Sequence, residues 1–136
     1  MTLATLDTNV LISGLLFEGP PRRVLRSAIA GKFQLALSPA ILQELAEVLA
    51  RPKFGLSSEY VRTASRELEE ISTLVQPKHR HQVAVRDPKD QIIIDCAVEG
   101  GSSYIVTGDQ DLLVLHQVAE IPIVSPVSYL ELAEFR

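Results

Sequence analysis

Short apolar runs recur along the chain, and longer segments with helical spacing separate them. Five runs have the length of strands, and they lie at residues 3–6, 33–37, 74–76, 104–107 and 121–124. Most are nearly continuous in apolar residues and do not alternate with polar ones, which is typical of strands covered on both faces. The pattern therefore predicts the strands of a buried parallel sheet.

Apolar residues with helical spacing fill the intervals between these strands. Ser38 and Asp87 are each followed by proline, as N-cap residues often are, and Gly31 and Gly101 are suited to ending helices. The predicted helices cover residues 9–16, 21–30, 39–51, 57–74, 88–100, 110–116 and a C-terminal segment that includes Val127, Leu130, Leu132 and Phe135. Alternation of strands and helices predicts an α/β fold with a central parallel sheet of about five strands.

Length and composition narrow the class of protein. The length of 136 residues suits a single domain that covers residues 1–136. A composition of 46% hydrophobic and 22% charged residues is typical of a globular protein. No apolar run approaches the roughly 18 residues that span a bilayer, and the first residues lack the basic start of a signal peptide. We therefore expect a cytoplasmic protein without a membrane partner. The single cysteine, Cys96, cannot form an internal disulfide and is expected to be buried.

The net charge of −4 argues against binding nucleic acid by bulk electrostatics, because domains that do so are usually basic. It does not argue against a nuclease. Carboxylates that gather to hold divalent cations make a chain acidic, and the bound metal then reverses the local sign of the charge. The arginines and lysines are scattered, and we interpret most of them, together with His79 and His81, as solvated surface residues.

Four acidic residues stand out by their positions relative to the predicted elements. Asp7 and Asp109 each follow a strand, Asp90 lies in the first turn of a helix, and Glu44 borders the apolar face of another helix. Each position also has a simple structural explanation. An aspartate after a strand can cap the next helix, one in the first turn complements the helix dipole, and a glutamate on a helix can be solvated.

The topology of a parallel sheet should bring three of these acids together. Right-handed crossovers place the carboxyl ends of neighbouring strands, and the starts of the following helices, at one edge of the sheet. Asp7, Asp90 and Asp109 should therefore converge there. Clustered carboxylates repel one another unless a hard cation is present, and oxygen ligands suit Mg²⁺ or Mn²⁺. Such ions activate water in the hydrolysis of phosphodiesters, which is the chemistry that we expect.

Four short motifs carry these acids and follow one another along the chain. They are Leu6-Asp7-Thr8-Asn9-Val10-Leu11, Ile41-Leu42-Gln43-Glu44-Leu45, Asp87-Pro88-Lys89-Asp90 leading into Ile94-Asp95-Cys96-Ala97, and Tyr104-Ile105-Val106-Thr107-Gly108-Asp109-Gln110-Asp111-Leu112. In this order they resemble the motifs of PIN-domain proteins. The resemblance covers essentially the whole chain, and it is closest to toxins of toxin–antitoxin pairs, the VapC-type ribonucleases. Each motif alone is weak, but four in order form a specific signal.

This resemblance implies a Rossmann-like three-layer α/β/α sandwich and a Mg²⁺- or Mn²⁺-dependent endoribonuclease that cleaves single-stranded RNA. It also implies a homodimer with a small antitoxin protein as partner. The matching positions give the acidic quartet of catalytic and metal-binding residues, the supporting polar residues that orient it, and an accessory acid. The acidic quartet is Asp7, Glu44, Asp90 and Asp109. The supporting polar residues are Asn9 and Thr107, and the accessory acid is Asp111.

Two aspartates near the third motif are less readily assigned, and a second function stays open. Asp95 lies five residues after Asp90, about 140° around a helix, so both side chains should not face one metal. Asp87 is accounted for as an N-cap. The alternative is a catalytically silent module with the same fold that binds a protein or RNA. A nuclease should bind Mg²⁺ or Mn²⁺ at the four acids, whereas a silent module need not.

Overall fold

The computed structural model describes residues 1–81 and 87–132, in which strands and helices alternate. The strands are β1 (Leu3–Leu6), β2 (Gln34–Leu37), β3 (Ser72–Leu74), β4 (Tyr104–Val106), β5 (Gln117–Val118) and β6 (Ile121–Val124). The helices are α1 (Thr8–Leu16), α2 (Pro20–Ile29), α3 (Pro39–Leu49), α4 (Ser58–Ile71), α5 (Pro88–Gly100), α6 (Gln110–Leu113) and α7 (Pro126–Leu130). This alternation confirms the predicted α/β class.

The strands form one sheet in the order β3-β2-β1-β4-β6-β5, in which only β5 is antiparallel to its neighbour. From β1 the chain first builds outwards through β2 and β3, and then crosses to the other side of β1 to add β4 and β6. The boundary between β1 and β4 is therefore the point at which the direction of winding reverses. In sheets of this kind a crevice opens at that point, beyond the carboxyl ends of the strands.

The neighbouring strands β1 and β2 are buried on both faces of the sheet. Ala4, Thr5 and Leu6 of β1 are 0% exposed, and so are three consecutive residues of β2, Leu35, Ala36 and Leu37. Successive side chains of a strand point to opposite faces, so both faces must be covered. Helix α5 packs on β1, β2 and β4, whereas α4 packs on β2 and β3. The three-layer arrangement implied by the family resemblance is confirmed.

The third strand lies two residues earlier than the apolar run at 74–76 predicts. Ser72 adopts an extended conformation, with φ −104° and ψ 162°, and its hydroxyl donates to the carbonyl oxygen of Glu69. Helix α4 therefore ends at Ile71 and not at residue 74. The strand that follows pairs with β2 from Ser72 to Leu74. Pairing along the edge of the sheet, which the local apolar pattern does not encode, sets its position.

The sequence did not predict β5, which pairs with β6 through a two-residue turn. Ala119 and Glu120 form this turn, and both have positive φ angles of 47° and 67°. Turns of this shape usually contain glycine or asparagine, so the usual signal was missing. The helix predicted at 110–116 is correspondingly shorter and ends at Leu113. The last helix ends at Leu130, and Phe135, which was predicted to extend it, lies outside the described residues.

Two further expectations concern burial and membranes. Cys96 is fully buried, with its sulfur 3.9 Å from the hydroxyl of Thr5, as predicted. None of the helices within residues 1–81 and 87–132 combines the length and the apolarity that crossing a bilayer requires.

Candidate active site

Asp7 lies at the junction between β1 and α1 and is only 7% exposed. Its backbone N–H donates to the carbonyl oxygen of Val106 at 2.9 Å, which joins the ends of β1 and β4. Its side chain caps α1, because Oδ1 accepts from the backbone N–H of Asn9 at 3.2 Å. The capping role that the sequence suggested is therefore real, but it occupies only one carboxylate oxygen.

The second oxygen of Asp7 is bound by Thr107, the residue that follows β4. The Thr107 hydroxyl donates to Oδ2 of Asp7 at 2.7 Å and accepts from the backbone N–H of Asp109 at 3.0 Å. Thr107 itself is 0% exposed. One buried hydroxyl therefore fixes the Asp7 side chain relative to the loop that carries Asp109.

Asp109 begins the four-residue helix α6. Its Oδ1 accepts from the backbone N–H of Asp111 at 2.9 Å, so Asp109 acts as an N-cap in the same way as Asp7. Asp111, the predicted accessory acid, is exposed and supports Asp109 through its backbone. The ends of β1 and β4 thus both carry an aspartate that is oriented by the first turn of a helix.

Asp90 projects from the first turn of α5 into the same region and is 5% exposed. Burial raises its pKa to about 7, and the neighbouring carboxylates of Asp109, Asp7 and Asp87 add to the rise. Within the described residues, Oδ2 of Asp90 is buried without a hydrogen-bond partner. A buried carboxylate oxygen with no donor is costly, and such groups are often found at functional sites.

Asp7 experiences the same environment as Asp90, although its donors moderate the effect. Burial raises the pKa of Asp7 above its ordinary value, the hydrogen bonds from Thr107 and Asn9 lower it, and the carboxylate of Asp109 raises it. The carboxylate of Asp109 raises the pKa of both Asp7 and Asp90, and the carboxylate of Asp7 raises the pKa of Asp90, so the three carboxylates lie near one another.

Asp7, Asp90 and Asp109 form an acidic cluster. Glu44 on α3 lies beside this acidic cluster without being part of it. Its side chain is 15% exposed, in keeping with its predicted place at the border of an apolar helix face. Oε2 accepts from the hydroxyl of Thr8 at 2.9 Å, and Oε1 lies 3.9 Å from Nζ of Lys89. Thr8 follows Asp7 and Lys89 precedes Asp90, so Glu44 contacts the sequence neighbours of two acids of the cluster.

The site fits a divalent cation by its chemistry more than by its present geometry. No group of three or more His, Cys, Asp or Glu side chains in residues 1–81 and 87–132 is arranged around a point where a metal ion could sit. However, Asp7, Asp90 and Asp109 offer only oxygen donors, and Asp90 has an unpartnered buried oxygen. Mutual repulsion and buried oxygen donors are features that a hard cation such as Mg²⁺ or Mn²⁺ would relieve.

Comparison with known families identifies the fold that carries this site. A family model described as PIN domain matches residues 4–111, which include all four acids. The chain belongs to the PIN domain family. The resemblance that the four motifs suggested is thereby confirmed.

A solved structure supports the same fold. The crystal structure of VapBC2 from Rickettsia felis, bound to a DNA fragment from their promoter, contains a chain that matches with a TM-score of 0.62. The match covers 91% of this PIN domain and 98% of that chain, at 12% sequence identity. At this identity the likeness shows the fold alone. No curated protein sequence matches the chain.

The other predicted residues of the PIN domain occupy different surroundings. Asn9 supports Asp7 through its backbone N–H, and its own side chain is exposed. Asp87 caps α5 by accepting from the backbone N–H of Lys89. Asp95 faces away from the cluster, and its Oδ1 accepts from the backbone N–H of His81 at 2.8 Å and from Nε2 of Gln91. The expectation that Asp90 and Asp95 do not share one site agrees with these contacts.

Sequence analysis missed two residues that contact Glu44. Thr8 was part of the first motif but was given no role, and Lys89 was interpreted as a solvated lysine. The hydrogen bond between Thr8 and Glu44 spans 36 positions, so no local pattern reveals it. The only available signal was the place of each residue next to an aspartate of the cluster.

Replacing Asp90 tests the electrostatic cost of the cluster. The unfolded chain ionises Asp90 near its ordinary pKa, whereas the folded chain retains the proton up to about pH 7. The contribution of Asp90 to the free energy of unfolding is therefore most favourable below about pH 4. It falls by up to about 4 kcal/mol as the pH rises towards 7. Asp90→Asn removes this loss, so in urea unfolding with EDTA the variant should be the more stable protein at pH 8.

The same comparison should show little difference between Asp90→Asn and the parent protein at pH 4. Glu120→Gln, in the exposed β5–β6 turn, is the matched control and should follow the parent at both pH values. Equal stability of Asp90→Asn and the parent at pH 8 would contradict the conclusion that this carboxylate is crowded.

The hydroxyl of Thr107 can be tested by an isosteric change. Thr107→Val leaves Oδ2 of Asp7 and the N–H of Asp109 without their partner, which should lower the free energy of unfolding by about 1–3 kcal/mol. Thr107→Ser keeps the hydroxyl and should lose clearly less. In the Asp7→Asn background the cost of Thr107→Val should shrink, because the charged acceptor is gone. A cost that is independent of residue 7 would contradict this coupling.

Proposed function

We propose that this PIN domain is a metal-dependent endoribonuclease that cleaves phosphodiester bonds of single-stranded RNA. The observation that carries the proposal is the carboxylate of Asp90, which is buried, lacks a partner at Oδ2 and is repelled by Asp7 and Asp109. Family membership supports a nuclease, since nucleases are the activity that the PIN resemblance implies. A protein without catalysis has no evident use for this unfavourable cluster.

Asp7, Asp90 and Asp109 are the residues that would hold Mg²⁺ or Mn²⁺, with Glu44 beside them. When bound, such a cation activates water and stabilises the leaving oxygen. The hydrogen bonds within the chain do not occupy every acceptor position of Asp7. Each carboxylate oxygen has two lone pairs, and among the described residues Oδ2 accepts one hydrogen bond, from Thr107. The donors of Asp7 therefore orient it and still leave capacity for a cation.

The residues around the cluster have positioning roles in this proposal. Thr107 sets the orientation of Asp7 relative to Asp109, and Thr8 holds Glu44 at the side of the cluster. The side chain of Lys89 is 58% exposed, lies near Glu44 and supplies a positive charge at the start of α5. In this proposal that charge attracts the phosphate backbone of an RNA strand towards the acids.

A cleavage assay tests the nuclease directly. Purified protein is incubated with a mixed pool of single-stranded RNA in Mn²⁺, Mg²⁺ or EDTA, beside Asp7→Asn and the exposed control Glu120→Gln. We expect cleavage that requires the metal, that falls by at least about a hundredfold in Asp7→Asn and that persists in the control. Absence of cleavage by folded, metal-loaded protein would favour the catalytically silent binding module.

The biological setting of the proposal is a toxin–antitoxin pair in the cytoplasm. The motif resemblance to VapC-type toxins supports it, and the matched structure is VapBC2 bound to a fragment of its promoter. We propose a homodimer that a small antitoxin protein inhibits. Expression of the parent protein in bacteria should then arrest growth, whereas Asp7→Asn should not, and sedimentation should give a dimer. Growth that is unaffected by an RNA-cleaving protein would contradict the toxin assignment.

A further inference from the structure

A second cavity opens at the same edge of the sheet, outside the acidic cluster. It has a volume of about 340 Å³, which is within the range of small-ligand pockets. The turn into α3, the segment after β3 and one face of α5 line it, and it is open to solvent. Its walls combine four apolar residues with three polar ones, and they are Pro39, Ala40, Pro77 and Ile92 together with Ser38, Gln76 and Asp95.

The cavity lies beside the acids along the carboxyl edge of the sheet. Its residues follow β2 and β3, whereas Asp7 and Asp109 follow β1 and β4. The strand order β3-β2-β1-β4 places the two sites side by side. Neighbouring strands are about 4.8 Å apart, so the midpoints of the two strand pairs are about 10 Å apart. This distance suits a nucleotide close to the bond that is cleaved.

Two positive side chains, Lys78 and Arg80, lie at the rim of the cavity in a protein whose net charge is −4. Lys78, His79 and Arg80 directly follow the wall residue Pro77, and their side chains are exposed. The backbone beneath them is held in place, because the N–H of Lys78 donates to Oε1 of Glu99 at 3.1 Å. Positive side chains on an anchored backbone form a suitable surface for phosphates.

Contacts from α5 anchor the other end of this segment. The N–H of His81 donates to Oδ1 of Asp95 at 2.8 Å, Nε2 of Gln91 donates to the carbonyl oxygen of His81 at 2.6 Å, and the His81 ring contacts Glu99. Asp95 therefore both lines the cavity and fixes its rim. Both hydrogen bonds that Asp95 accepts from residues 1–81 and 87–132 end on Oδ1, and none of them ends on Oδ2.

We propose that this cavity binds one nucleobase of the RNA substrate, next to the cleaved bond, and that Asp95 selects the base. The inference rests on the proposed nuclease function and adds a specificity site to it. Pro39, Pro77 and Ile92 provide the apolar surfaces against which a base can stack. Lys78 and Arg80 contact the phosphates that flank the bound nucleotide. Single-stranded RNA is commonly recognised by stacking combined with hydrogen bonds to the base edge.

The chemistry of Asp95 determines which base is preferred. A carboxylate only accepts hydrogen bonds, and guanine presents two donors, the ring N1–H and the amino group, either of which can donate to Oδ2 of Asp95. Uracil presents one N–H between two carbonyl oxygens, which a carboxylate repels. We therefore expect guanine to bind best and uracil worst, with about a tenfold difference in Kd or more. In Asp95→Asn the preference for guanine over uracil should be lost. An amide both donates and accepts hydrogen bonds, so it can pair with the edge of either base.

Binding is measured first, without any requirement for cleavage. Guanosine 5′-monophosphate and uridine 5′-monophosphate are titrated in EDTA into methyl-labelled protein, and the signals of Ala40 and Ile92 are followed by NMR. We expect guanosine monophosphate to shift both signals with the lower Kd. Asp95→Asn should bring the two Kd values to within about threefold, and Ala40→Leu should weaken binding of both by filling the cavity.

Glu99→Gln is the matched control, because Glu99 anchors the rim from the same helix but does not line the cavity. It should preserve the preference for guanosine monophosphate. No shift at Ala40 and Ile92, equal Kd values for the two nucleotides, or the same loss of preference in Glu99→Gln and Asp95→Asn would each overturn the proposal.

Cleavage then separates this proposal from the nuclease proposal. With RNA randomised around the cut, the parent should prefer guanine over uracil at one position by about tenfold, and Asp95→Asn should lose that preference at that position alone. If nucleotides bind the cavity but no RNA is cut, the nuclease fails while the cavity remains a nucleotide site. If RNA is cut without a preference that depends on Asp95, the specificity site fails while the nuclease stands.

Discussion

The hydrogen bond from Thr107 to Asp7 is the contact on which the candidate active site depends. It joins two neighbouring parallel strands just beyond their carboxyl ends, where the backbone pairing of β1 and β4 has stopped. A buried carboxylate at this point would otherwise lose its solvation without compensation. Because the same hydroxyl also accepts from Asp109, the two aspartates hold a fixed relation to each other before any cation binds. The first turns of α1 and α6 complete this arrangement through the N-cap bonds.

The fold tolerates a cluster that is unfavourable by itself. Asp90 is buried, crowded by like charges and unpartnered at one oxygen, and a core position of this kind would normally be occupied by an apolar residue. The surrounding structure compensates through strands buried on both faces and a well-capped α5, whose C-terminal Gly101 adopts a left-handed conformation with φ 70°. The position of this uncompensated buried carboxylate coincides with the switch point of the sheet, where functional sites commonly break the local rules that favour stability.

The parts of this structure that sequence analysis predicted are those encoded within a few residues. Ser38 and Asp87 are N-caps as expected, and β1 has the predicted bounds, because capping and apolar runs are local signals. The position of β3 depends on pairing with a distant strand, and the turn that creates β5 uses Ala119 and Glu120, which are unusual there. The convergence of Asp7, Asp90 and Asp109 followed from topology, whereas the bond between Thr8 and Glu44 could be found only from the structure.

Helix α5 connects the two chemical regions of the molecule. Asp90 in its first turn belongs to the acidic cluster, and Asp95, about 140° further around the axis, lines the second cavity and anchors the rim through His81. A helix of 13 residues is rigid on the scale of a single nucleotide, so the backbone positions that carry both side chains keep a constant separation. A displacement of α5 would move the acid and the base-selecting residue together. In the proposed nuclease, recognition of a base and placement of the bond to be cleaved would therefore be coupled through one helix.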